Sequence, residues 1–532
     1  MKRLLALLLC VVLLAGCMPA AVLDRFGITP FRDMDYVRPD PDAVRKVCDE
    51  AIALAGSSGD VQEILNGVWD YYDAYDRFST ACDLAYIHHH ADLTDEFWQT
   101  EQDFCSGQYG YVDMLLEELY TALAESPMKD ELEAEYFGSG YLDSYLGEPF
   151  YDEELLNLYA KEQELIAEFY TIGAECEAEA ETDAWYDACA LPLAEVLAEL
   201  ALLRNRLARY VGYDSYTDYA WDFSFYRDYT PAQAQEYVEE IRRELVPLYE
   251  NMQRMDVWAA ADAPCSEYEV LSFVKEAAQG IGGIVREAHT VMSLAGLFDI
   301  SPDPNKSGLS FELYLDQYRM PYILISGTGT AYDRLAFAHE FGHFATDYAA
   351  GGSWAGTDVM EIFSQGMEYL RLCHGEADPD FVRMKLADSL CTYVEQAAYA
   401  DFELQLYMLP EEEITGENLL ALYEQVCEGY GFRSLDWDPR DMVTVPHFYE
   451  LPHYVISYAG SNDAAMQLYE MELCDPGSGA ECFAENLTTE AEGLMSFLKE
   501  AELKSPFDGI GEGLEKLKNN QVTGRLVARF GD

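Results

Sequence analysis

The sequence predicts a mainly α-helical protein with one small antiparallel β-sheet. Between about residues 40 and 290 the chain is rich in Glu, Ala, Leu and Tyr, and its apolar residues recur near the helical period. Proline and glycine separate these stretches, as they commonly do between helices. Residues 310–315 and 322–325 are alternating or continuously apolar and flank turn-forming residues, which predicts a β-hairpin. An open edge of that hairpin could bind a peptide as an added strand, whereas a hairpin buried on both edges could not.

A further helix is predicted over about residues 331–350, directly after the hairpin. Thr330 and Asp333 have the spacing of a capping box, which is typical of a helix start. Gly351 and Gly352 then end the pattern, because glycine readily adopts the left-handed conformation that closes many helices.

The middle of this predicted helix carries the sequence His339-Glu340-Phe341-Gly342-His343. Residues four apart lie on one helix face, so both imidazoles can reach a single metal ion. Glu340 is then placed to act as a base toward an attacking water. Gly342 costs about 1 kcal/mol relative to alanine inside a helix, which indicates a neighbouring helix or a substrate close to the backbone. The alternative interpretation is a pair of structural histidines on an ordinary helix.

Catalytic zinc usually takes three protein ligands, so a third ligand is needed. Glu361 follows the second histidine in the sequence, and Asp358 before it is a candidate N-cap of another helix. Glu361, Gln365 and Glu368 would share one face of that helix. In so acidic a chain, a solvated polar face is the alternative to a metal-binding face.

Three blocks of the chain resemble the thimet oligopeptidase and oligoendopeptidase F family of zinc metallopeptidases. They are residues 321–326 leading into the HEFGH sequence, residues 360–365, and residues 445–449 continuing through 454–459. A weaker match lies at residues 202–220. The resemblance covers about residues 200 to 500, and the order and spacing of the three blocks are more specific than the HEFGH sequence alone.

The resemblance implies a role for each of six residues. His339, His343 and Glu361 would bind one Zn²⁺ per chain, Glu340 would be the general base, and His447 and Tyr458 would donate hydrogen bonds to the oxyanion of the tetrahedral intermediate.

The resemblance also implies a fold and an activity. Two helical lobes would enclose a deep substrate groove, with the small sheet next to the metal-binding helix. The expected activity is hydrolysis of internal bonds in short peptides. Two alternatives stay open, namely a catalytically inactive peptide-binding lipoprotein and a zinc carboxypeptidase or dipeptidase of related helical fold.

The amino terminus has the features of a bacterial export signal. Lys2 and Arg3 precede an apolar run over residues 4–14, and Leu14-Ala15-Gly16-Cys17 resembles a lipobox. We expect residues 1–16 to be a signal peptide and Cys17 to carry a lipid. The mature protein would then be anchored on the outer face of the bacterial cytoplasmic membrane. Secretion without a lipid is the alternative.

The remaining chain is expected to contain four parts. These are a tether over residues 17–40, an N-terminal helical lobe over 41–290, a zinc metallopeptidase catalytic region over 291–505 and a C-terminal tail over 506–532. The formal net charge of −65 excludes nucleic acid as a partner, because phosphate binding needs a cationic face. Short peptides remain as substrates, and the sequence leaves the oligomeric state open.

The chain has 13 cysteines, and an exported location permits disulfides. Cys474 with Cys482 and Cys176 with Cys189 are the local candidates for such bridges.

Overall fold

The computed structural model describes residue 23 and residues 27–146, 152–176, 182–375, 378–434 and 437–508. This part of the chain is mainly helical with one small sheet, which confirms the predicted fold class. No helix within it is both long enough and apolar enough to cross a membrane. The predicted signal peptide and Cys17 lie outside the described residues, as does the tail beyond residue 508.

The α-helices follow one another along most of the described chain, and the strands lie near its middle. In chain order the elements are α1 (Pro41–Ser57), α2 (Val61–Ala91), α3 (Glu96–Ser106), α4 (Tyr109–Ala124), α5 (Lys129–Leu132), α6 (Glu153–Glu175), α7 (Asp183–Tyr210), α8 (Tyr216–Tyr219), α9 (Pro231–Met252), α10 (Glu267–Ile281), α11 (Gly283–Ala295), β1 (Phe298–Asp299), β2 (Phe311–Leu315), β3 (Met320–Leu324), α12 (Asp333–Ala350), α13 (Thr357–Cys373), α14 (Pro379–Leu406), α15 (Gly416–Gly429), α16 (Pro446–Glu450), α17 (Ile456–Cys474), α18 (Ser478–Asn486) and α19 (Leu494–Glu500).

These elements form two compact units that are interleaved along the chain. The described residues of 1–150 join Cys265–Gly329 and His343–Gly352 in the first unit, and the other described residues form the second. The boundary between the units falls within α12, directly after Gly342. His339 is therefore assigned to the second unit and His343, one turn later on the same helix, to the first. The division of the chain into a lobe over 41–290 and a catalytic region over 291–505 remains a prediction.

In the first unit, α1, α2 and α4 pack around an apolar core. Its fully buried side chains include Ile64, Tyr71, Leu115 and Leu119. Helix α1 begins where Asp40 accepts a hydrogen bond from a backbone amide of the first turn, which satisfies one of the amides that have no partner within the helix. In the second unit, α13 packs along α17 and α9 packs along α14.

The sheet has the strand order β1-β3-β2, and the predicted hairpin is its antiparallel pair. Leu313 of β2 lies opposite Tyr322 of β3. The two-residue strand β1 adds a parallel pairing to β3, so the complete sheet is mixed rather than purely antiparallel. One side of the hairpin is therefore covered by β1, and β2 forms an edge. The ring of Tyr314 lies against Gly352, which places the sheet beside the carboxyl end of α12.

Burial in the first unit raises the pKa of Asp83 on α2 to about 7, and the nearby charge of Asp316 adds to the shift. A folded-state pKa above the unfolded value means that this group favours folding most below about pH 4 and loses that contribution as the pH rises through about 7. Asp83→Asn should therefore raise Tm at pH 8 by several degrees and change it little at pH 4. Thermal unfolding at both pH values measures the effect, and an equal shift at the two would contradict it.

Both local disulfides considered from the sequence are wrong, because Cys176, Cys189, Cys474 and Cys482 are free thiols. The thiols of Cys176 and Cys189 are hydrogen-bonded neighbours without a bond between the sulfurs. Cys474 is the last residue of α17, and Cys482 lies inside α18, where its Sγ contacts the carbonyl oxygen of Ala501 at 3.9 Å. Helical structure on both sides of a short turn replaces the expected loop.

Candidate metal centre and active site

Helices α12 and α13 bring together the three predicted metal ligands. One candidate ligand atom from each of His339, His343 and Glu361 lies within 4.8 Å of the other two. His339 Nε2 and Glu361 Oε2 are 3.4 Å apart. Two ligands bound at about 2.1 Å in a tetrahedral zinc site are separated by roughly the same distance. Two imidazoles and one carboxylate are also a donor set that suits Zn²⁺, so the residues fit the metal.

The two ligand helices cross at Gly342, where the backbones touch. A Cβ atom on Gly342 would lie 2.4 Å from both the carbonyl oxygen of Phe363 and the Cα of Ser364. Of the two features that Gly342 indicated, a neighbouring helix or a substrate, the structure shows the neighbouring helix. The crossing places Glu361, one turn earlier on α13, beside the histidines.

Gly342→Ala should separate the ligand helices. Because the added methyl group meets backbone rather than a movable side chain, we expect a loss of about 3 kcal/mol in the free energy of unfolding, together with weaker zinc binding. Denaturant unfolding and zinc titration measure both quantities. Gly366→Ala on α13 is the control, since its Cβ would meet the side chain of Leu468 at 3.2 Å rather than backbone. If both variants lost the same unfolding free energy and zinc affinity, close backbone packing at Gly342 would not be what holds the ligand helices in place.

Helix α13 begins differently from the expectation. Its N-cap is Gly356, and Asp358 is a buried residue of the first turn that pairs with Arg227. Asp358 as the N-cap was therefore wrong, because a long-range ionic partner takes the carboxylate. The solvated-face alternative is also wrong, since Glu361, Gln365 and Glu368 are all buried.

No role was predicted for Glu368, which contacts one of the candidate metal ligands. Its Oε1 lies 2.9 Å from Nδ1 of His339, while its Oε2 lies 2.7 Å from Nζ of the buried Lys385. A carboxylate on the far nitrogen of a metal-binding histidine fixes the tautomer and the ring orientation. Lys385 also pairs with Asp388 at 2.8 Å. The signal available in the sequence was the shared face of α13, which could not identify the partner.

Glu368→Gln should weaken zinc binding by about tenfold, because the amide retains a hydrogen-bond acceptor but not the charge that supports the histidine. Lys385 stays paired with Asp388, so the fold should persist. Competition with a fluorescent zinc chelator measures the affinity, and an unchanged affinity would contradict the role of Glu368.

Burial and neighbouring carboxylates determine the electrostatics around the motif. Burial raises the pKa of Glu340 to about 7, His339 opposes the shift, and the charges of Glu361 and Glu368 add to it. Burial lowers the pKa of His339, but hydrogen bonds and charge from Glu361 and Glu368 outweigh it and raise the pKa well above its ordinary value. Two carboxylates therefore interact strongly with this imidazole, and their negative charge makes the site suitable for a cation.

His447 on α16 and Tyr458 on α17 lie next to each other, with Nε2 and the hydroxyl oxygen 3.4 Å apart. Burial lowers the pKa of His447, so the imidazole is neutral near pH 7. Burial and the charges of Glu361 and Glu340 raise the pKa of Tyr458 well above its ordinary value. The phenol consequently keeps its proton and can donate a hydrogen bond to a developing anion.

Tyr454 is a second residue that the sequence did not single out. It precedes α17, and its hydroxyl donates to Glu361 Oε1 at 2.6 Å. Gln365 Nε2 donates to the carbonyl oxygen of Tyr458 at 3.1 Å, which ties α13 to α17 near the same place. The sequence did not distinguish this residue, because 39 tyrosines are present.

Comparison with known proteins adds a family match to this geometry. The model of the Peptidase M3 N-terminal domain matches residues 31–144 of the chain. No curated protein matches the chain.

Solved structures with this fold align over almost the whole chain. An X-ray structure designated oligoendopeptidase F has a TM-score of 0.79 at 20% identity, with coverage of 94% of this chain and 99% of that chain. PZ peptidase A with inhibitor 2 has a TM-score of 0.80 at 18% identity, covering 93% and 100%. A protein of Bacillus anthracis designated oligoendopeptidase F has a TM-score of 0.74 at 20% identity, covering 94% and 98%. The chain therefore has the fold of the oligoendopeptidase F structures and resembles the M3 peptidases, as its sequence blocks predicted.

Proposed function

We propose that this protein is a zinc-dependent oligoendopeptidase that hydrolyses internal bonds of short peptides. The observation that carries the proposal is the group of His339, His343 and Glu361, whose ligand atoms lie within 4.8 Å of one another. The buried carboxyl of Glu340 lies close enough to His339 and Glu361 for their charges to affect its pKa. Metal ligands and a base are thus available in one place.

The residues of the chain divide the chemistry among them. Zn²⁺, when bound, would lower the pKa of a water molecule and polarise the carbonyl of the scissile bond. Glu340 accepts the proton of the attacking water and passes it to the leaving amine, so the peptide bond breaks as a carboxylate and an amine form. Tyr458 and His447 donate hydrogen bonds to the oxyanion in the transition state.

The preference for short peptides rests on the fold. The structures that share it are designated oligoendopeptidase F and PZ peptidase A. We propose a peptide substrate for this chain as well, because its own residues offer a metal site, a base and two oxyanion donors.

The test uses the full-length chain in detergent with quenched peptides blocked at both termini. We expect cleavage at internal bonds, loss of activity on chelation and recovery when Zn²⁺ is added back. Mass spectrometry of the products locates the bond. Cleavage that requires a free terminus would replace this proposal with an exopeptidase. Peptide binding without any cleavage would replace it with a binding protein.

We also propose that the protein is exported and held at a membrane surface by a lipid on Cys17. The support is the sequence Leu14-Ala15-Gly16-Cys17 after an apolar run. In a bacterial host fed a labelled fatty acid, the wild type should carry the label and fractionate with membranes. Cys17→Ser should do neither. Unlabelled wild-type protein in the medium would indicate plain secretion instead.

A further inference from the structure

A buried arginine joins the helix of the metal-binding glutamate to the helix of Tyr458. The side chain of Arg227 is 0% exposed, and that of Asp358 is 3% exposed. Arg227 Nε and Nη2 both lie 3.4 Å from Asp358 Oδ1. Nη2 also donates to the carbonyl oxygen of His453 at 2.8 Å and to Ser457 Oγ at 2.9 Å. One guanidinium therefore contacts three residues of the second unit, one on α13 and two at or just before the start of α17.

The surroundings leave this cation little freedom to move. The guanidinium carbon lies 4.5 Å from the ring centre of Trp221 and 4.4 Å from that of Phe225. An arginine stays charged when buried, so its contacts with a carboxylate and with aromatic faces must compensate for the lost water. The planar guanidinium also packs against both aromatic rings, which favours one orientation of the group.

Asp358 receives further contacts from α17. Ser457 Oγ donates to Asp358 Oδ1, and Ser461 Oγ donates to the carbonyl oxygen of Asp358 at 2.5 Å. Tyr229, two residues after the arginine, forms a side-chain hydrogen bond with the same carboxylate. The start of α13 is thereby fixed to the first two turns of α17.

The segment between α16 and α17 is held from both sides. His453 has a φ of +70°, which costs a non-glycine residue about 1 kcal/mol or more. Its backbone amide donates to Glu403 Oε1 at 2.8 Å, and its carbonyl oxygen accepts from Arg227. This unfavourable backbone conformation directly precedes Tyr454, whose hydroxyl donates to Glu361. Arg227 and the buried carboxyl of Glu403 thus hold the turn that precedes Tyr454.

We propose that Arg227 and Asp358 are positioning residues that set Tyr458 and Tyr454 at fixed places relative to Glu361. The proposal rests on the hydrolysis proposed above. Asp358 lies one turn before Glu361 on α13, and Ser457 directly precedes Tyr458 on α17. A shift of either helix at the guanidinium would move the oxyanion donor away from the metal ligand. Errors of about 1 Å in such placements reduce catalysis by roughly a hundredfold.

Arg227→Lys tests the proposal, since lysine retains the charge but lacks the planar fork. The comparison is made once cleavage by the wild-type protein has been established. In the Arg227→Lys variant we then expect kcat per zinc-loaded molecule to be about 10- to 100-fold lower than in the wild type, with KM within about threefold. Zinc content should stay at the wild-type level. The expected kcat remains unchanged for the control Arg242→Lys, whose partners are Asp401 and Tyr430.

A double-mutant cycle with Tyr458→Phe separates positioning from general stabilisation. If Arg227 acts through the tyrosine hydroxyl, adding Arg227→Lys to Tyr458→Phe should reduce kcat by less than about threefold. Multiplicative losses would overturn the proposal. A lower Tm with a normal kcat per zinc-loaded molecule would also overturn it.

Ser457→Ala provides a milder variant that leaves both buried charges paired with each other, in case Arg227→Lys does not fold. It should lower kcat in the same way, and a wild-type kcat would count against the proposal. Failure of the peptidase function itself would be seen in the wild type, before any variant is compared.

Discussion

Replacing Glu340 with Gln is expected to lower kcat by about 10³- to 10⁴-fold while the protein retains its zinc. Glu340 is 7% exposed, and burial raises its pKa to about 7. A base with a pKa near the working pH accepts a proton from water and returns it to the amine with little thermodynamic loss. Glutamine has nearly the same shape but cannot accept the proton. Single-turnover cleavage of a blocked peptide, with metal analysis on the same sample, measures the effect.

A buried carboxyl outside the site provides the control for this substitution. Glu395 on α14 accepts a hydrogen bond from Tyr249 at 2.8 Å, and burial raises its pKa as well. Glu395→Gln should leave kcat within a few-fold of wild type. A Glu340→Gln enzyme that kept a tenth of the wild-type kcat would contradict the base role, as would one that lost its zinc.

Tyr458→Phe is expected to lower kcat by about 10²- to 10³-fold and to change KM little. The hydroxyl donates mainly in the transition state, because the oxyanion attracts a proton donor more strongly than the substrate carbonyl does. Burial and the charges of Glu361 and Glu340 keep the phenol protonated, so the loss should be similar across neutral and mildly alkaline pH. Steady-state kinetics from pH 6 to 9 measure it.

Tyr454→Phe gives the contrasting result. Its hydroxyl contacts Glu361 rather than a reacting group, so removing it should weaken zinc binding more than it lowers kcat at saturating zinc. If both tyrosine variants lost kcat equally at saturating zinc, Tyr458 would have no separate role as an oxyanion donor.

Local patterns predicted the parts of the site that lie close together in the sequence. The spacing of His339 and His343 on one helix face, and the helix-breaking cost of Gly342, both depend on residues within one or two turns. Glu361 and the pair His447 and Tyr458 were identified through resemblance to a family, because nothing local ties them to the metal helix. The structure brings all of these residues together.

Contacts between distant segments explain what the sequence did not provide. Arg227 and Asp358 are 131 residues apart, and Arg227 and Ser457 are 230 residues apart. An aspartate before a helix reads locally as a cap, so its buried partner could not be recognised. Glu368 was similarly ambiguous, because a polar face is common on the surface of a chain with 98 acidic residues. The short strand β1 has only two residues, too few for a recognisable alternation.

The contact between α12 and α13 at Gly342 has a consequence for how the protein would respond to a shortage of the proposed zinc ion. Since the backbones of the two helices pack directly against each other at Gly342, we expect the fold to form without the metal, in contrast with small domains that collapse only around zinc. Scarcity of zinc would then leave an idle but intact population. These folded molecules could bind zinc again when the ion returned, without synthesis of new protein.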